Sequence, residues 1–217
     1  MKLFYRIGRV VALLALSAGG IAHASNDPVM DTQVMRINNE WARIKYQVPN
    51  KSEQYRQLDK LAVQAAQLVA KYPGRAEPLL WQGIVTSEEA AQASVLKQLG
   101  LATAARDILD KAYRIDPKAE KGGVAMSLGV LYFKVPGWPI GFGNAKKAKA
   151  YLNQGLAVDP LSLDTNWFLG DYWVSQGDKA KARAYFTKAL AAPSDPSRPV
   201  WDAGRRAEVR AALATLR

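Results

Sequence analysis

Asp164 and Asp171 are the two side chains whose spacing best suits joint chemistry. Seven residues apart, they fall on one face of a helix two turns on. Such a carboxylate pair can divide into general acid and general base, as in glycoside hydrolysis. It can equally be solvated, or matched to nearby Lys and Arg. Lys146, Lys147 and Lys149 form one basic cluster, and Arg205, Arg206 and Arg210 a second. Each reads as a solvated helix face or as a seat for an anionic ligand. Trp138 and Phe142 stand on a glycine/proline frame, V-P-G-W-P-I-G-F-G (Val135–Gly143). Aromatics there can dock on a partner or stack on a sugar, or pack inward as a compact loop.

Other chemistries are excluded by composition. The chain has no cysteine and one histidine, His23. That histidine lies in a segment with the marks of a secretory signal: Lys2, Arg6 and Arg9, then the apolar run Val10–Leu16, then Ala22-His23-Ala24 as a cleavage site. The run is shorter than the roughly 20 residues that span a bilayer. Cleavage after Ala24 leaves 193 residues (217 less 24) and lowers the net charge from +11 to +8, because three basic residues depart. The exported domain would then lack the means for a Ser-His-Asp triad, a cysteine nucleophile, a His-ligated metal or a disulfide. No cofactor is expected, and no transmembrane segment in the mature chain. The expected location is the periplasm. Basic residues alternate with acids, as in Lys179, Lys181 and Arg183 beside Asp178, and no nucleic-acid motif appears, so no nucleic-acid partner is expected.

The elements that must position these residues are helices in a repeat. Ala148, Leu152 and Gly155 match Ala182, Phe186 and Ala189 at a constant offset of 34 residues. That is the period of the tetratricopeptide repeat (TPR), a helix–turn–helix unit. Small residues mark close helix crossings, and the large apolar residue fills the space between them. Leu128-Gly129 with Tyr132, and Leu169-Gly170 with Trp173, carry the first-helix signature. Gly83 stands in a similar context, and Ala105, Leu109 and Ala112 repeat the second-helix pattern. The expected fold is all-α, a TPR-like α-solenoid of antiparallel helix pairs.

Taken in order, residues 25–39 read as a loosely held arm, and residues 40–217 as the TPR-like domain. Glu40–Gln47 is a short predicted helix. Ser52–Lys71 is a predicted helix capped by Ser52. Glu77–Ala93 and Leu101–Ile115 form the next pair, with a break at Leu99-Gly100. About ten residues beyond the normal spacing separate their landmarks. Val124–Lys134, the loop, and Ala145–Ala157 capped by Asn144 make a pair widened by seven residues. Ser162–Ala191 is the last full repeat. Asp202–Leu216 is a predicted cap, with Val209, Leu213 and Leu216 covering the open end of the solenoid.

First-type helices line the concave wall of such a stack. With Gly129 and Gly170 as register marks, that wall presents Met126, Val130, Phe133 and Lys134, then Asp164, Trp167, Asp171 and Val174. It is a candidate groove for a protein partner. Trp138 and Phe142 are the second candidate surface.

Val135–Gly143, the helix ending at Pro160 and the W-F-L-G-D-Y-W helix together resemble an exported bacterial TPR family grouped with the T-component of TRAP-type transporters. The likeness covers roughly Glu40 to Leu213. It implies a helical, non-enzymatic periplasmic protein that associates with the transporter's solute-binding subunit. It also implies an aromatic-lined pore, carried here onto Phe133, Trp138 and Trp167. Typical T-components are lipoproteins, and this sequence has no cysteine to lipidate. A binding protein for an envelope small ligand or glycan is the alternative expectation.

Overall fold

The computed structural model describes residues 27–216. The expected signal sequence, with its cleavage site at Ala24, lies outside them. Among the described residues the order is α1 (Pro28–Gln47), α2 (Lys51–Lys71), α3 (Ala76–Gln92), α4 (Val95–Ile115), α5 (Ala119–Lys134), α6 (Ala145–Val158), α7 (Leu163–Ser175), α8 (Lys179–Leu190) and α9 (Pro199–Thr215). No described helix is long and apolar enough to cross a membrane.

Side-chain caps start most of these helices. Asp27 accepts from the backbone N–H groups of Val29 and Met30, and Asn144 from that of Lys147 at 2.9 Å. Ser162 and Asp178 serve α7 and α8 in the same way. For α2 the cap is Asn50, which accepts from Glu53, and not Ser52 as expected.

Two expectations are corrected at the level of elements. Residues 28–39 are not a loose arm but the first half of α1. Met30, Val34, Ile37, Trp41 and Ile44 recur at spacings of three and four and are buried, which anchors the whole helix. Nor does Leu99-Gly100 break a helix, because α4 runs through it. One mid-helix glycine costs only about 1 kcal/mol relative to alanine, too little to interrupt a helix held by Ala102, Ala105, Leu109 and Ala112 in the core.

Helices pair as α1–α2, α3–α4, α5–α6 and α7–α8, and successive pairs stack. The repeat landmarks meet as their residue types require. A Cβ on Gly83 would lie 2.6 Å from Cγ of Leu109, and one on Gly129 would lie 2.8 Å from Cγ of Leu152. Gly170 faces the ring of Phe186 in the same manner. Glycine is required at these crossings because each second helix drives a large side chain against the first.

The last helix does more than cover an end. α9 packs on α8 and α7, and also on α1. A Cβ on Gly204 would lie 2.5 Å from the ring of Tyr46. The helix thus takes the place of a further first-type helix, with the C-terminal turn of α1 as its partner. One buried apolar cluster runs from Met30 and Trp41 through Phe186 to Trp201 and Val209. The stack is closed into a ring, with α1, α3, α5, α7 and α9 in contact around its inside.

Candidate functional site

Ring closure turns the concave wall into a cavity of about 1080 Å³, lined from all five first-type helices. Of the residues expected on that wall, Met126, Val130, Lys134, Asp164, Trp167 and Asp171 line it. Met126, Val130 and Lys134 succeed one another at four-residue steps down α5.

The remaining expected residues lie elsewhere. Phe133, one residue off the stripe, turns toward α7 and meets Tyr172 edge-on, with ring centroids 5.9 Å apart. Val174 is exposed beyond the cavity. Phe142 is half-buried, edge-on to Tyr132 at 5.6 Å, with the Arg106 guanidinium 4.5 Å over its ring. Trp138 protrudes into solvent. Of the three aromatics expected to line a pore, Trp167 lines the cavity, and Phe133 and Trp138 do not.

The two carboxylates are not a free pair. Both oxygens of Asp164 are engaged by α9: Trp201 Nε1 donates to Oδ2 at 3.1 Å and Arg205 Nε donates to Oδ1 at 2.6 Å. Arg205 also bonds Glu208 and is almost fully buried. Burial opposes its charge, but Asp164, Tyr46 and Glu208 outweigh that cost and hold its pKa above the ordinary value. The guanidinium rests over the rings of Phe168, at 4.9 Å, and Trp167, at 5.7 Å. Asp171 is ion-paired with Lys134 across α5 and α7. Each carboxylate is committed to a cation, which leaves neither arranged for acid–base work with the other.

Sequence reading missed three of the five helices that line the cavity. α1 contributes Asn38, Trp41 and Lys45, α3 contributes Trp81, Ile84 and Glu88, and α9 contributes Trp201 and Arg205. The helical spacing of apolar residues in 28–44 was a readable signal for α1. Trp41 and Trp81 meet edge-on at 5.8 Å, and Lys45 pairs with Glu88 at 2.9 Å.

Charge in the cavity runs against that of the chain. Eight carboxylates and five basic side chains line it, in a protein of net charge +11. At its N-terminal rim, Glu120 and Lys121 have φ of 50° and 52°, and Gly122 continues the left-handed turn at 83°. Left-handed non-glycine residues cost on the order of 1–3 kcal/mol each. The turn sets Glu120 at the rim of the cavity, still exposed to solvent on one side; desolvation there raises its pKa, the Arg198 charge opposes that rise, and Glu77 and Asp31 add to it.

No protein-family model matches the chain, and no curated protein is similar to it in sequence. Solved structures do match. A TPR protein of Thermus thermophilus, TTC0263, is similar over 85% of this chain and 91% of its own, with a TM-score of 0.57 at 19% identity. The fold is a TPR solenoid. MamA aligns over 78% of this chain and 92% of its own, with a TM-score of 0.46 at 17% identity. The protein pilF of Pseudomonas aeruginosa aligns over 87% and 90%, with a TM-score of 0.35 at 14% identity.

Proposed function

We propose that this TPR protein is a non-enzymatic periplasmic scaffold that receives part of a protein partner in the inner cavity, and that the partner is the solute-binding subunit of a TRAP-type transporter. The single observation that carries the reading is the cavity itself, walled by Trp41, Trp81, Trp167 and Trp201. Aromatic anchors set among charged groups are what protein recognition uses. The partner identity rests on the resemblance of residues 135–173. Affinity purification from periplasm tests it, using native protein, Trp167→Ala and Asp171→Lys as baits. The native protein should retain the solute-binding subunit and both variants should lose it. Equal recovery on all three overturns the proposal.

A second reading is favoured by the closure of the ring. A partly open site of this size lies near the range of small-ligand pockets, ~300–1,000 Å³. Its acid excess favours a neutral or cationic ligand over an organic acid. Thermal shift against sugars, amines and dicarboxylates separates the cases. Stabilisation by one of the first two classes, lost in Trp167→Ala, would support this reading over the first.

A further inference from the structure

The two places where the sequence departs from the TPR spacing meet at one edge of the ring. One is the lengthened α3–α4 pair and the other is the loop between α5 and α6. Gly141 of the loop lies against α4, where a Cβ would be 3.2 Å from Cδ1 of Leu99. The loop is folded, not slack. Ile140 and Gly141 donate their N–H groups to the Gly137 carbonyl, each at 3.1 Å, and Gly143 donates to Pro136 at 2.9 Å. Asn144 N–H ties the loop to Tyr132 of α5 at 2.8 Å. With Phe142 tucked inward, this frame holds Trp138 outward at 90% exposure and Ile140 at 68%. On the adjoining first turns of α4, Val95, Leu96 and Leu99 are 83%, 96% and 39% exposed. Four large apolar side chains therefore stand exposed on this edge, with Leu99 partly covered among them.

Along the chain the charge beside them has one sign, although in space Glu89 lies near Lys97, and Asp107 and Asp110 of α4 lie near Arg106 and Lys147. No carboxylate occurs between Glu89 and Asp107, or between Glu120 and Asp159. Lys97 lies in the first of these stretches, and Lys146 and Lys147 open α6 immediately after the loop. The first turns of α4 and α6 carry no acid, although a helix N-terminus favours negative charge and lysines there oppose the dipole. Two positive helix ends and three lysines thus surround an apolar tip. A partner that complements both features is an interface with anionic headgroups above hydrocarbon, where tryptophan is the preferred residue.

We infer that this edge docks the protein on a lipid bilayer containing anionic lipid, with Trp138 and Ile140 inserted at headgroup depth and Lys97, Lys146 and Lys147 over the headgroups. The binding is peripheral and reversible, and it is independent of what the inner cavity holds.

Vesicle flotation of residues 25–217, which contain every described helix, tests this. The vesicles are phosphatidylcholine alone or mixed with phosphatidylglycerol. Flotation is expected with the anionic mixture at low salt, falling as salt is added. Trp138→Asp with Ile140→Asp should abolish it, and Lys146→Glu with Lys147→Glu should weaken partition about tenfold or more. Trp138→Phe should still float but lose the blue shift in tryptophan emission that native protein shows on binding. These side chains are exposed, so unchanged thermal melts will show that the variants fold. The inference is overturned by absence of flotation at low salt, by equal flotation on neutral vesicles, or by undiminished flotation of the double aspartate variant. Loss of a captured protein from that variant, without vesicle binding by the native chain, would assign the edge to a protein instead.

Discussion

Asp164 binds α9 to the ring. Its partner Arg205 is only 4% exposed, and both Asp164 oxygens are occupied from α9. Removing one member of a buried ion pair costs about 3–5 kcal/mol, because the other charge is left without compensation. Arg205 would keep Glu208 as a partner, so Asp164→Ala should lower stability by about 3 kcal/mol, the low end of that range, in urea unfolding, although the residue sits on the cavity wall. Glu120 presents the opposite case. Its folded pKa is raised, so its contribution to stability is full below the ordinary carboxylate pKa and declines as pH rises through the folded value. Glu120→Gln should melt higher than native protein at neutral pH, and the difference should disappear at about pH 4 and below. A melt series across pH checks the sign.

Among elements, the glycine–large residue pairs set how closely two helices of one repeat approach. Leu152 is fully buried against Gly129, and Leu152→Ala should cost about 2–5 kcal/mol by equilibrium unfolding. At the same scale, α1 shows what sequence reading can overlook. Its apolar residues keep helical spacing among Asp31, Gln33, Arg36 and Asn39, the pattern of an amphipathic helix. Gly100 shows the reverse. A glycine reads as a stop in the sequence, yet tertiary packing a turn later outweighs its cost. Phe133 differs from expectation by a single residue of register. One step along a helix rotates a side chain by about 100°, enough to move it from the cavity to the α5–α7 interface.

For the molecule as a whole, closure is the property that matters for binding. An open solenoid offers a groove that a chain can enter from the side, whereas this ring admits it only from an end. Deleting α9 from Pro199 onward should expose α1 and the cavity wall, seen as faster amide exchange in Met30–Ile44 and around Trp167. Unchanged exchange in both segments would show that α9 does not close the ring in solution.

The sequence alone determined the helix pairs, their register at Gly83, Gly129 and Gly170, and six of the residues that line the cavity, because these follow from periodicities within one or two repeats. Only the tertiary structure decided that the last helix meets the first, that Asp164 and Asp171 are already bonded to Arg205 and Lys134, and that Trp138 faces outward while Phe142 packs. Those outcomes depend on contacts between segments up to 162 residues apart, such as Tyr46 with Glu208. A local pattern carries no term for such distances. Whether two helix ends meet depends on the summed rotation of every repeat between them.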